Sequence, residues 1–186
     1  MQLGNVYPYL VPGLLNPDWE RIAVPVGHGV YATLFEDHES DDGIVHATVS
    51  PEALEAAGLT PEAAHAAALD NLERFAAGGV AWGLSLKMIG RPGEAVHFLL
   101  LCDHPRAAAC LRLRDLYDQA SRLLESAGVC ACAPQRESLV VLPERDRAYR
   151  EMIVGKLREI EAEARRPISF ELFELSRDGV RPFFEP

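Results

Sequence analysis

This chain lacks an excess of positive charge. Its 186 residues hold 18 Lys and Arg against 28 Asp and Glu, a formal net charge of −10. That argues against a general nucleic-acid binder, which needs a basic footprint, and it would repel an anionic membrane surface. Long apolar runs are also missing, since none approaches the roughly 20 residues of a membrane span. The start, MQLGNVYPYLVPGLL, has neither a charged leading region nor an uninterrupted apolar segment, so it reads as lacking an export signal. There is no Cys-x-x-Cys pair, although structural zinc sites usually show that kind of spacing. Four cysteines in a chain of this length, without an export signal, read as reduced cytosolic thiols. No Gly-x-Ser-x-Gly occurs, no histidine has an i, i+4 histidine partner, and no repeat or low-complexity tract is present.

What is present is an ordinary globular composition, 48% apolar and 25% charged, in a length that suits one domain. Residues 1–20 hold three prolines and three aromatics. They read as an irregular arm, or as a short strand around Val6–Leu10 that packs Tyr7, Tyr9 and Trp19 on a single domain over 21–186. Val30 to Val49 reads as a hairpin around the polar turn HESDDG. Two helix starts then use the same chemistry: Ser50-Pro51-Glu52 and Thr60-Pro61-Glu62 each supply an N-cap oxygen, a proline at the first helical position and an acid at the positive helix end. In the second helix His65, Ala68, Leu69, Leu72 and Phe75 form one stripe.

A hairpin around Arg91-Pro92-Gly93 follows, with a central strand over Val96–Leu101. Next comes a helix from about Pro105 to Ala127, capped by Asp103. The apolar runs VCACA and SLVVL flank Gln135-Arg136-Glu137-Ser138 and read as a hairpin. The stretch after Pro143 reads as a long helix with Tyr149, Met152, Ile153, Leu157, Ile160 and Ala164 inward, stopped by Pro167. Asp178-Gly179 marks a closing hairpin. The expected order is βααββαββαββ. Strands arriving as hairpins with helices between them predict an α+β fold, a mainly antiparallel sheet with three to four helices packed on it.

Four short signatures occur in sequence: LTPEAAHAAALDNLERF with its Ala68-x-x-Asn71-Leu72 core, AVHFLLLCD followed by ASRLL, GVCACAPQRESLVVLP, and ISFELFELSRDG. In that order they resemble the YtpQ-like family of uncharacterised bacterial proteins (domain of unknown function 1444), over roughly residues 45–181. The resemblance implies an α+β fold and a bacterial cytosolic setting. It implies no activity, because none is established for the family. Glu137 stands where the family turn usually has Asp, which puts in doubt a fixed catalytic geometry for this carboxylate.

Candidate chemistry centres on the Arg136-Glu137 turn, with Asp115, Tyr117 or Asp118 supplied by the preceding helix. A guanidinium and a carboxylate on a tight turn can bind an anion or position a water. The plainer alternative is a solvated turn whose charges keep an edge from pairing. Cys102, Cys110, Cys130 and Cys132 read as buried inert thiols rather than metal ligands. The acidic run Glu36–Asp42 lacks calcium-loop spacing and reads as a solvated hairpin turn. Gly27-His28-Gly29 and Gly90 to Gly93 read as turns rather than phosphate loops. No cofactor and no metal is expected. The sequence thus points to a cytoplasmic protein-binding or regulatory module without catalytic activity, acting through a protein partner or by self-association. The arm and an exposed sheet face or edge are its docking surfaces. A ligand-binding protein or enzyme with a site at the Arg136-Glu137 turn is the alternative.

Overall fold

The structure, a computed structural model, describes residues 1–13, 15–41, 43–77, 84–89, 96–145 and 147–184. Its strands divide into two antiparallel sheets. The first contains β1 (Val6–Pro12), β2 (Val24–Gly27), β3 (Val30–Ser40) and β4 (Gly43–Thr48). The long β3 is its spine. β1 pairs along one side of it from Val6↔Glu36 to Pro12↔Val30. On the other side β2 pairs with its first part and β4 with its second. The second sheet has the order β10-β9-β7-β8-β6-β5. Its strands are β5 (Ser85–Ile89), β6 (Val96–Cys102), β7 (Val129–Cys132), β8 (Ser138–Pro143), β9 (Phe173–Ser176) and β10 (Gly179–Pro182). This is the α+β architecture expected, with the strands divided between two layers.

Within residues 1–20, Val6–Pro12 is strand, the alternative that the sequence offered to an irregular arm. β1 keeps Val6, Tyr9, Leu10 and Val11 buried, so its own domain consumes this surface and it is not available for docking. Asn71 helps to anchor it. Its amide nitrogen donates to the carbonyls of Leu3, at 2.7 Å, and Val6, at 2.8 Å.

The short α1 (Trp19–Ile22), α2 (Pro51–Ala56) and α3 (Pro61–Ala77) back the first sheet. Ser50 and Thr60 cap as their sequence predicts: each hydroxyl accepts a bond, at 3.2 Å, from the backbone N–H three residues on. Val6, Leu34, Val49, Leu54, Ala64 and Ala68 make this core. The Arg91-Pro92-Gly93 turn lies outside the described residues, but β5 and β6 pair as a hairpin would.

The helix expected from Pro105 to Ala127 is instead a 3-10 segment, Ala108–Arg112, followed by α4 (Leu116–Leu124). The reason is burial without a polar face. Ala107, Ala108, Ala109, Cys110 and Leu111 are all at most 1% exposed, and they sit in the core shared by the two sheets. The Ala108 N–H donates to the Arg136 carbonyl at 3.1 Å, which takes it out of a helical ladder. Asp103 does not cap here, and its backbone is left-handed, with φ at 63°.

The last helix, α5 (Arg147–Ile160), covers the opposite face of the second sheet. Tyr149, Ile153 and Leu157 are buried, at i, i+4 and i+8. Met152 and Ile160, expected inside, are 43% and 70% exposed: Met152 lies off the Tyr149–Ile153–Leu157 stripe, and Ile160 is on it but is the last residue of the helix, at the edge of a cavity. The helix also stops before Pro167. The following chain is held along the β7–β8 connection, where Arg136 N–H donates to the Arg166 carbonyl at 3.2 Å and Ile168 N–H to the Pro134 carbonyl at 2.9 Å. At the other end of that sheet β10 approaches β2 closely. A Cβ on Gly27 would lie 2.3 Å from Pro182 Cγ.

Candidate functional site

The β7–β8 pairing runs from Val129↔Pro143 to Cys132↔Val140, so residues between them form the expected turn. Its two central charges go to different places. Arg136 is half-buried, its guanidinium carbon 5.2 Å from the centre of the Tyr9 ring and 5.5 Å from that of Phe35. Burial, followed by the nearby Arg166 charge, lowers its pKa. Glu137 pairs with Arg166 at 3.6 Å and lines a cavity under α5.

The other three candidate residues lie apart from this turn. Asp115 flanks the start of α4 and accepts a bond from Gln119 Nε2. Tyr117 donates its hydroxyl to the Ala127 carbonyl at 2.9 Å. Asp118 is exposed and accepts from Arg177 Nε at 2.9 Å. Among the described residues no hydrogen bond or ion pair joins these three to Arg136 or Glu137.

What the structure does assemble is a buried ionic cluster beside Arg136. In an antiparallel sheet, paired residues project to the same face. The registers Tyr9↔Thr33 and Asp37↔His46 therefore put Tyr9, Phe35, Asp37 and His46 on one face. Asp37 is 6% exposed and is not part of a solvated acidic turn, as the run Glu36–Asp42 suggested. Its Oδ2 accepts from Arg106 Nε at 2.9 Å, Arg106 Nη2 at 2.7 Å and the Tyr9 hydroxyl at 2.9 Å. Its Oδ1 lies 2.8 Å from His46 Nδ1, which also sits 3.1 Å from the Tyr9 oxygen. An ionised carboxylate only accepts, so the His46 proton facing it is on Nδ1. Burial, followed by the Asp37 charge, raises the Tyr9 pKa well above its ordinary value and keeps the phenol protonated.

Aromatic rings close over the cation. The Arg106 guanidinium stands 3.7 Å above the Tyr7 ring and 4.6 Å from Phe75. His104, 4.7 Å from Phe75, accepts the Arg106 backbone N–H at 3.1 Å on its Nδ1. Burial and the Arg106 charge lower its pKa. A cleft of about 680 Å³ opens beside Tyr7, Asp37, Phe75, His104 and Arg106.

The chemistry open to this cluster is limited by its own completeness. Asp37 spends both oxygens on four donors, and Arg106 spends its fork on Asp37. Among the described residues no serine, threonine or cysteine is hydrogen-bonded to His46. The cluster was hidden in the sequence because Asp37 and Arg106 are 69 positions apart. The one signal available was His46, a titratable residue flanked by apolar neighbours on a strand.

Of the cysteines, Cys110, Cys130 and Cys132 are buried and Cys102 is exposed, all as free thiols. Among the described residues no three His, Cys, Asp or Glu side chains converge in a way that could hold a metal ion. None of their helices is long and apolar enough to cross a membrane. No family model, curated protein or solved structure matches the chain.

Proposed function

We propose that the chain is a non-catalytic binding module that adds a protein strand to the open edge of β4, and that a second copy of the chain supplies this strand. The YtpQ-like resemblance, with a bacterial cytoplasmic setting, belongs to the same reading. The four free thiols support such a setting.

One observation carries the proposal. Natural sheets block their edges with proline, charge or irregular register. Here β1 has Pro8 and Pro12, and β2 has Pro25 with a register shift beside it. β5 has the exposed Lys87, and β10 has Arg181 and Pro182. β4, Gly43-Ile44-Val45-His46-Ala47-Thr48, has no proline, Lys, Arg, Asp or Glu. Its Ile44 and Val45 are 38% and 54% exposed. Antiparallel pairing of β4 with itself about a two-fold axis is a closed, isologous arrangement that covers both copies equally. The completed hydrogen bonding of Asp37 supports the non-catalytic half of the proposal.

Light scattering over a range of concentrations tests it. The expected mass climbs from one chain toward two, and Val45→Lys, a charge on the pairing edge, holds it at one. A single-chain mass throughout would overturn the reading.

A further inference from the structure

The second cavity next to the β7–β8 turn is different in kind from the cleft at Arg106. It has a volume of about 280 Å³ and lies between α5 and the second sheet. Phe98 and Leu100 of β6 form its floor, with Ile153, Leu157 and Ile160 of α5 facing them. An apolar cavity of only about 150 Å³ is enough to hold benzene. This one therefore has room for a ring and a short tail.

Its mouth is acidic. Asp103, Glu137 and Glu161 line it, with Lys156 the one cation among its lining residues. Lys156 is already bonded to Glu159 at 2.6 Å, and Glu137 to Arg166 at 3.6 Å. Asp103 accepts from the neutral thiol of Cys102, at 3.1 Å, and Glu161 from the neutral amide of Gln135, at 2.6 Å. Among the described residues neither of these two carboxylates is paired with a cation.

A separate observation comes from the wall. Ser138 is 3% exposed and lines the cavity, yet among the described residues its hydroxyl finds no partner at good hydrogen-bond geometry. It lies close enough to Glu161 to stabilise that carboxylate somewhat. Burial and the Glu137 charge nevertheless hold the Glu161 pKa above its ordinary value, as expected for an acid that lacks a counter-charge. A buried polar group without a partner in a native fold calls for one.

We infer that this cavity is a binding site for a small primary amine with an apolar body, its ring or branched chain on Phe98, Leu100 and Leu157 and its ammonium between Asp103 and Glu161. The ammonium would supply the missing cation, and its three donors can reach more than one oxygen at the mouth. Neither the β4 edge nor its pairing enters this assignment, so each can fail without the other.

Calorimetry with 2-phenylethylamine, and with phenylacetate as a probe of similar size and opposite charge, tests the proposal on the unaltered protein. The amine is expected to bind at one site per chain and phenylacetate not to bind. Glu161→Gln and Asp103→Asn should each weaken the amine about tenfold, the loss of one charge-assisted bond. Asn tolerates the left-handed backbone at position 103, so that variant is expected to keep its fold. Equal binding of the two probes, no binding of the amine, or unchanged affinity in a folded Asp103→Asn protein would each overturn the assignment.

Discussion

Arg106 turns two nitrogens onto a single oxygen of Asp37, Nε at 2.9 Å and Nη2 at 2.7 Å, with both side chains almost wholly buried. This contact joins the segment before the 3-10 turn to the spine strand of the other sheet. It leaves Asp37 Oδ1 for His46. An ion pair this deep contributes more to defining which surfaces meet than to net stability, because desolvation offsets much of its attraction.

Removing one member strands the other. Asp37→Ala should lower unfolding free energy by about 3–5 kcal/mol, measured by urea titration. The double variant Asp37→Leu/Arg106→Leu should recover part of that loss, because no charge is then left buried. A double variant less stable than Asp37→Ala alone would show that the pair contributes net stabilisation.

Acid should weaken the fold through His65. Its Nε2–H donates to the Ile22 carbonyl at 2.9 Å, while its Nδ1 is buried without a partner. Protonation would bury an unpaired N–H, and burial accordingly lowers the His65 pKa. The unfolded chain then binds the proton more readily than the folded one, so stability rises with pH through this window. The His65 contribution is complete above about pH 6.5 and declines as pH falls from there toward the lower folded pKa. Urea midpoints measured from pH 7.5 downward should show the decline, and His65→Gln should flatten it. An equal slope in the variant would assign the effect elsewhere.

Thiol reactivity should separate one cysteine from three. Burial pushes the Cys130 and Cys132 thiols up to about 12, and Cys110 is raised further by the same cause. Cys102 is exposed, although its bond to Asp103 also raises its pKa. A disulfide-exchange reagent should label one thiol per native chain, slowly, and four in urea, as a chromogenic titration would show. Rapid labelling of a second thiol in the native protein would contradict the burial described.

Much of the local structure was legible because local chemistry decides it. The Ser50 and Thr60 caps, the inward stripe of His65, Ala68 and Leu72, the β7–β8 hairpin and the Asp178-Gly179 turn each depend on residues within a few positions of one another. The errors fall where distant contacts override that chemistry. Ala107–Leu111 has helix-forming composition, but the core encloses it and its Ala108 N–H bonds to the distant Arg136 carbonyl. Met152 lies off the contact line of α5, and Ile160 has the right period but ends the helix where the sheet no longer covers it. At the site, the turn itself was legible. The partners of Arg136 were not, because Tyr9 and Phe35 come from the first sheet.

By itself, then, the sequence determined the α+β character, the caps, the inward stripes and the hairpins, since propensity, capping and periodicity act over a few residues. Only the tertiary structure decided that the strands split into two sheets, that the arm belongs to one of them, and that Asp37 meets Arg106 while Glu137 faces a cavity. Those outcomes depend on which buried surfaces fit together and which charges find partners across long separations. Periodicity carries no record of either.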